Sequence, residues 1–439
     1  MTHVCQAWRE VLTSRCSLWT NLHCKDADKT RVYLERSKLS PINISLNAAY
    51  ALYGLSSANP FVQAIPHAFG RLRSLSVKAA PENLQKITSH LSHRAPLLQE
   101  LSIHGGYHCQ QYPNTLPPTL FDGDFSSLHK LCLEYVRTEL PWRNMANLTS
   151  FTMAYTLSDQ APIARLLDFF ESVPQLREVE LCFTTIPGAQ PGRLVSLACL
   201  KKMAIFGGRS SVLLDHLLIP AGAKLITQGD SFDPQIEDHL PMSLDNLQNL
   251  PNFTAIQLSA RSSYPHVKFS GPNGRVEMHA RTSQFDEAWP LLNLLARFDT
   301  SKTEQLKIDH GNSRSSDPPY QMFLPMKDLR TLTLHLCESL DTFTRALDPS
   351  MNPSGDPVCP KLEEVIVSHR ERFAIGSVVR MAAARASRGA KLKSVGLACP
   401  YKFAESDVLE LKKHVWRVEC RVFSAGMGGD MPVVNLRLE

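Results

Sequence analysis

Three short constellations in this 439-residue chain bring together side chains able to do chemistry. The first is His104-Gly-Gly-Tyr-His108-Cys109, whose imidazoles and thiol are the donor types of a zinc site. Two further ligands do not accompany it at metal-binding spacing, so it reads as a polar loop. The second, Gly426-Met-Gly428-Gly429, has Met431 where a dinucleotide-binding loop places its third glycine, and reads as a turn. The third, Arg370 to Lys393, gathers Lys and Arg around an alanine-rich predicted helix carrying Arg380, Arg385 and Arg388. A basic patch for RNA or an acidic partner is one reading of it. Without interleaved aromatics, a solvated helix face is the reading favoured. His90 and His93, three apart, are placed on a solvated helix face too. No G-x-S-x-G, H-E-x-x-H or G-x-x-x-x-G-K-[ST] motif occurs. The expectations are no catalytic residue, no metal, no cofactor and a protein that is not an enzyme. An enzyme on an α/β fold would need a pocket with convergent titratable groups.

What positions these residues is a repeated phrase: Leu, two variable residues, an apolar residue, one variable residue, another apolar residue. It occurs as Leu72/Leu75/Val77, Leu98/Leu101/Ile103, Leu128/Leu131/Leu133, Leu148/Phe151/Met153, Leu176/Val179/Leu181 and Leu200/Met203/Ile205. It returns as Phe253/Ile256/Leu258, Leu306/Ile308, Leu329/Leu332/Leu334, Leu362/Val365/Val367 and Leu392/Val395/Leu397. The middle residues of the first six copies step by 26, 30, 20, 28 and 24, and later neighbours by 26, 33 and 30. Such periods are those of leucine-rich repeats. Two apolar residues two apart share one face of a short strand, and stacking such strands in parallel buries a continuous core. The predicted fold class is α/β: an irregular leucine-rich-repeat solenoid, or horseshoe, with parallel inner strands and outer helices. The residues between the apolar ones then line its exposed concave sheet: Lys78, Glu100, His104, Lys130, Glu134, Glu178, Glu180, Lys202, Phe206, Thr333 and His335. Their chemistry is mixed, which fits protein recognition better than glycan or polyanion binding.

Helices are predicted between the phrases. In 161–174, Ile163, Leu166, Leu167 and Phe170 form one face between Pro162 and Pro174. In 83–95, Leu84, Ile87 and Leu91 do so, with Asn83 as a cap. Segments 287–298 and 377–386 read similarly. Regularity breaks at about 207–285, where Leu225-Ile226 reads as a strand and 266–280 as a hairpin turning at Gly271-Pro-Asn-Gly274. Segments 313–319 and 349–360 read as loops.

The net charge of +5 with pI ≈ 8.6 gives no push toward nucleic acid or anionic membrane. Eleven cysteines occur without a C-x-x-C pair. Cys132, Cys182, Cys199, Cys337 and Cys420 sit in apolar runs and read as buried reduced thiols, which points to cytoplasm or nucleus. No apolar leader follows Met1. Residues 39–70 lack Asp, Glu, Lys and Arg, but their prolines, asparagines and glutamine argue against a spanning helix. Asn43, Asn147 and Asn252 begin Asn-x-Ser/Thr triplets that read as chance matches.

The N-terminal stretch runs Val4-Cys5-Gln-Ala-Trp8-Arg9, then Val11-Leu12, then Leu18-Trp19, with Val4, Trp8, Val11 and Leu12 on one helical face. It resembles the second half of an F-box, and the whole chain looks like fungal F-box/leucine-rich-repeat proteins. Tyr33-Leu-Glu-Arg-Ser37 leading into Pro41-Ile-Asn-Ile-Ser-Leu46, and Cys359-Pro-Lys-Leu-Glu-Glu364, carry the likeness onward. Cys16 departs from the proline common there, and the first F-box helix is absent. The resemblance implies a partial F-box-like segment at 1–24 and a repeat domain at 25–439. It also implies a substrate receptor of a cullin–RING ubiquitin ligase, in which Val4, Cys5, Trp8, Leu18 and Trp19 dock a Skp-family adaptor and the repeats hold an unknown protein target. The alternative is a ligase-independent scaffold whose N-terminal helix only caps the array.

Overall fold

The computed structural model describes residues 6–23, 27–48, 68–106, 114–117, 119–138, 142, 144–155, 163–182, 192–207, 210–229, 240–250, 253–259, 266–272, 274–279, 295, 297–309, 320–335, 340–352, 354–369, 373, 375–422 and 434–436. The chain is mixed α/β with mostly parallel strands, and it divides into two compact units. One comprises 1–220 with 241–246, the other 221–240 with 247–439.

In the first unit, strand follows strand in chain order: Asn21–His23, Ile42–Ala48, Leu72–Ala79, Glu100–Gly105, Lys130–Glu134, Ser150–Ala154, Glu178–Cys182 and Lys202–Phe206. Each pairs in parallel with the next. The register aligns the repeated phrase, so Leu75, Leu101, Leu131, Phe151, Val179 and Met203 lie side by side, all buried. The second apolar position aligns likewise from Val77 to Ile205 and is buried except at Met153, which is half-buried. Burial of such side chains stabilises by roughly 1.5–3 kcal/mol each.

Before the five strands from Glu100–Gly105 onward the chain makes the same turn. The N–H of the phrase's first residue donates to the carbonyl three residues earlier: Leu98 to Ala95, Leu128 to Phe125, Leu148 to Met145, Leu176 to Val173 and Leu200 to Leu197, at 2.9–3.1 Å. Those earlier residues are buried as well. Phe125 stacks on Trp142 at 4.7 Å, and Phe151 meets Phe169 at 4.5 Å. The helix Ile163–Ser172 buries Ile163, Leu167, Phe169 and Phe170. The helix Pro81–Ser89 buries Leu84 and Ile87. It starts earlier than predicted, with Pro81 in its first turn, where a missing N–H costs nothing. Asn83 is therefore inside the helix and buried, not its cap. His90 caps the helix C-terminus and His93 lies beyond it, stacked on Phe69 at 5.3 Å.

In the second unit the spatial order is Lys224–Gln228, Gly274–His279, His266–Gly271, Ala255–Ser259, Gln305–Asp309, Thr331–His335, Glu364–Ser368, Ser394–Cys399, Arg417–Val422 and Val434–Leu436. Pairing is parallel except along the predicted hairpin, where Gly271 faces Gly274, and at the last strand. The predicted Leu225-Ile226 strand is the Lys224–Gln228 strand. Gly274 is required by close approach: a Cβ there would lie 2.5 Å from the Ala221 carbonyl oxygen. Thr303, buried, fills the phrase's first position ahead of Leu306 and Ile308.

The helix Gly376–Ser387 buries Val378, Met381, Ala382 and Arg385, an i, i+3, i+4, i+7 stripe. Arg385 is thus not on a solvated face, whereas Arg380 and Arg388 are exposed. Its guanidinium donates to Val358 O at 2.7 Å and Cys359 O at 2.9 Å, and burial lowers its pKa. Burial also pushes the Cys359 thiol up to about 12.

Candidate functional site

The strand alternation that buries the phrase leaves an opposite face in the first unit. Register sets three rows across it. The first is Ser74, Glu100, Lys130, Ser150, Glu178 and Lys202; the second is Ser76, Ser102, Cys132, Thr152, Glu180 and Ala204; the third is Lys78, His104, Glu134, Ala154, Cys182 and Phe206. The candidate residues Lys78, Glu100, His104, Lys130, Glu134, Glu178, Glu180, Lys202 and Phe206 therefore share one face, each half-buried or exposed. Glu100 stands opposite Lys130, and Glu178 opposite Lys202, pairings that favour the observed register.

The most connected part of this face spans two strands. His104 Nδ1 lies 2.8 Å from Glu134 Oε2, and His104 Nε2 lies 2.8 Å from Ser102 Oγ. The Cys132 thiol donates to Glu134 Oε1 at 3.7 Å. Cys132 was expected to be a buried core thiol; period-two alternation instead places it on the polar face between buried Leu131 and Leu133, half-buried. Cys182 and Cys199 are half-buried too, and Cys420 is buried. Burial, then the Glu134 carboxylate, push the Cys132 thiol up to about 11, against Ser102 and Lys130. A protonated thiol is a poor nucleophile. As donors, the nitrogen, sulfur and oxygen of His104, Cys132 and Glu134 lie within 4.8 Å of one another. His108 and Cys109, the ligands the local sequence offered, lie outside the described residues, as do Cys337 and the glycines at 426–429.

At the end of these strands, Tyr135 and Tyr155 stack with centroids 4.7 Å apart and planes 10° from parallel. Both have positive φ, 55° and 51°. Non-glycine residues adopt that conformation at a cost.

In the second unit the same polarity of alternation gathers charge. Glu277 pairs with Lys224 at 3.2 Å and with Arg275; Asp309 meets Lys307 Nζ at 3.5 Å and accepts from Gln257 Nε2 at 3.3 Å. Burial, then Arg275, Lys224 and Lys307, lower the Lys268 pKa. Burial, then His266, Lys224 and Arg275, lower that of His279. The candidates Thr333 and His335 are half-buried; His335 stands opposite Asp309. Glu277 and the hairpin cations fall outside the repeated phrase because a hairpin reverses which strands become neighbours, whereas Asp309, directly after Ile308, holds the same phrase position as His335.

At the N-terminus, the helix Gln6–Ser14 and the turn Cys16–Trp19 precede the first strand. Trp8 (62%), Val11 (47%) and Leu12 (39%) are exposed, leaving an apolar helix face open, and Leu18 (53%) is exposed in the turn. Trp19 is engaged within the chain: its Nε1 donates to Leu12 O at 2.8 Å, Tyr33 meets it edge-on at 4.9 Å, and the Arg36 guanidinium lies 4.4 Å over its ring. Val4 and Cys5 lie outside the described residues. Among the described residues no helix is long and apolar enough to cross a membrane. No protein-family model and no curated protein matches the chain.

Proposed function

We propose that this chain is a leucine-rich-repeat solenoid that acts by binding rather than catalysis, as the substrate-recognition subunit of an SCF-type ubiquitin ligase. The repeats hold a protein target on their polar sheet face, and the N-terminal segment docks a Skp-family adaptor. Supporting the array is the unbroken chain-order register of the parallel strands of the first unit, five of them preceded by the same turn. Supporting target binding is a face of mixed charge with a stacked tyrosine pair at its margin, since aromatic anchors in a polar surround suit protein recognition.

The observation that carries the adaptor reading is the open face of Trp8, Val11 and Leu12, an apolar helix face of the kind that lies in a partner's groove, with Leu18 exposed in the turn that follows. The test is titration of the full-length chain with a purified Skp-family adaptor by calorimetry. One-to-one binding, lost in Trp8→Ala while far-ultraviolet circular dichroism stays unchanged, is the expected result. Absence of heat with the intact chain would refute it.

A ligase-independent scaffold is the second reading, favoured by one specific contact set. Trp19, tied to Leu12, Tyr33 and Arg36, binds the N-terminal segment to the start of the strand series, as a solenoid cap would. Under that reading Trp8→Ala leaves every binding partner in place.

A further inference from the structure

We propose that His104, Cys132 and Glu134 form a site for one zinc-class transition-metal ion, with a fourth coordination position open to the exposed sheet face. The proposal goes beyond protein docking and holds whether or not this face binds a partner.

The argument begins with strand geometry. Cys132 and Glu134 are two apart on one strand, so both side chains rise from the same face. His104 is the register partner of Glu134 on the neighbouring strand, which brings the third donor across the shortest available gap. The three ligating atoms lie within 4.8 Å of one another before any ion is considered. Tetrahedral ligands about 2 Å from an ion stand roughly 3.3 Å apart. The 2.8 Å approach of His104 Nδ1 to Glu134 Oε2 therefore has to open by only a few tenths of an ångström.

Donor chemistry selects the metal class. A nitrogen, a sulfur and a carboxylate oxygen suit zinc and its neighbours; the hard ions magnesium and calcium would shun the thiolate. Binding is balanced as a proton exchange. The Cys132 S–H bond breaks, a metal–sulfur bond forms, and the proton leaves to solvent. A dication held by one thiolate and one carboxylate is then a neutral centre, which suits a half-buried position better than the free charges do. A supporting residue is also in place. Ser102 Oγ, 2.8 Å from His104 Nε2, orients the imidazole and leaves Nδ1 as the ligating nitrogen, the outer-partner arrangement metal-bound histidines use. His104 and Glu134 side chains retain 24% and 31% of their exposure, so the ion can enter from solvent.

The chain carries 11 cysteines and 16 histidines, so total metal uptake alone decides nothing. The decisive comparison is between the full-length protein and Cys132→Ser, each checked for retained folding by circular dichroism. Cobalt(II) is added and the thiolate-to-cobalt charge-transfer band recorded; zinc is then titrated by calorimetry. The expected result is one equivalent fewer in Cys132→Ser with loss of the corresponding band intensity, and at least tenfold weaker binding in Glu134→Gln. As an independent measurement, saturating zinc slows alkylation of Cys132 by iodoacetamide, read by peptide mass spectrometry. Equal metal uptake by both proteins, or Cys132 alkylation indifferent to zinc, overturns the proposal.

Discussion

The Arg385 guanidinium donates to the Val358 carbonyl oxygen at 2.7 Å, and the side chain is fully buried without a carboxylate in contact among the described residues. Nη2 reaches Cys359 O at 2.9 Å, so one planar fork ties the helix Gly376–Ser387 to consecutive carbonyls of the chain entering the Glu364–Ser368 strand.

Arg385→Ala removes this tie, leaves those carbonyls unmet and opens a cavity. Carbonyls left unpaired in the interior cost roughly 1–3 kcal/mol apiece, so the variant should unfold about 3 kcal/mol or more below the parent. Arg385→Lys should recover less than half of that, because an ammonium cannot make both bonds in one plane. Urea denaturation followed by circular dichroism reads both; an unchanged midpoint for Arg385→Ala would show that the buried fork does not stabilise the fold.

The two faces of one strand give a second contrast. Phe151 is buried against Phe169, while Thr152, the next residue, lies on the polar face. Phe151→Ala should lower stability by about 3–5 kcal/mol. Thr152→Ala should stay within roughly 0.5 kcal/mol. The check is the denaturation midpoint of each variant; similar losses would mean that the alternation is not what holds the strand.

Much of this was legible before the structure. The phrase Leu98/Leu101/Ile103 and its copies fixed which residues are buried, because a strand's period of two leaves no freedom once one face is apolar. The nine first-unit residues assigned to the open face followed from the same alternation. The buried residue three before each phrase, as in Ala95, Phe125 and Met145, was present as a pattern but needs the turn's hydrogen bond to acquire meaning. Arg385 was misplaced by residue type, although its spacing from Val378, Met381 and Ala382 is that of a core stripe. His104 and Glu134 each directly follow the phrase's last apolar residue, so their pairing was implicit in the repeat; the convergence of both side chains with the Cys132 thiol was not. Sequence distance pointed to His108 and Cys109 instead.

His279 supplies a pH dependence whose sign follows from its surroundings. Burial, His266, Lys224 and Arg275 all disfavour its charged form, so its folded pKa lies below the ordinary 6.5. Between those two values the unfolded chain binds the extra proton, and stability falls as pH is lowered from about 6.5 through the folded pKa. Asp124, Asp299 and Glu363, all depressed in the folded state by their partners, extend the loss in the same direction at lower pH. Urea midpoints measured from pH 7.5 to 5 should decline, and His279→Gln should flatten the upper part of that decline. A midpoint that rises on acidification would reverse the assignment.

Gly105, the last residue of the Glu100–Gly105 strand, and Gly106, which follows it, have opposite tolerance for a side chain. A Cβ on Gly105 would lie 2.2 Å from Tyr135 O, a backbone atom of a residue already held at positive φ, whereas on Gly106 the nearest atom would be 3.6 Å away. Gly105→Ala must therefore push the Tyr135 backbone aside, at a cost of about 1–3 kcal/mol, and must disturb the tyrosine stack and the adjacent His104–Glu134 contact. Gly106→Ala has room for its methyl group and should leave the melting temperature near that of the parent. Thermal unfolding compares the two, and near-ultraviolet circular dichroism reports the packing of the Tyr135–Tyr155 pair. If Gly105→Ala keeps both the parent melting temperature and the tyrosine signal, the close approach between these strands is not a constraint on the face.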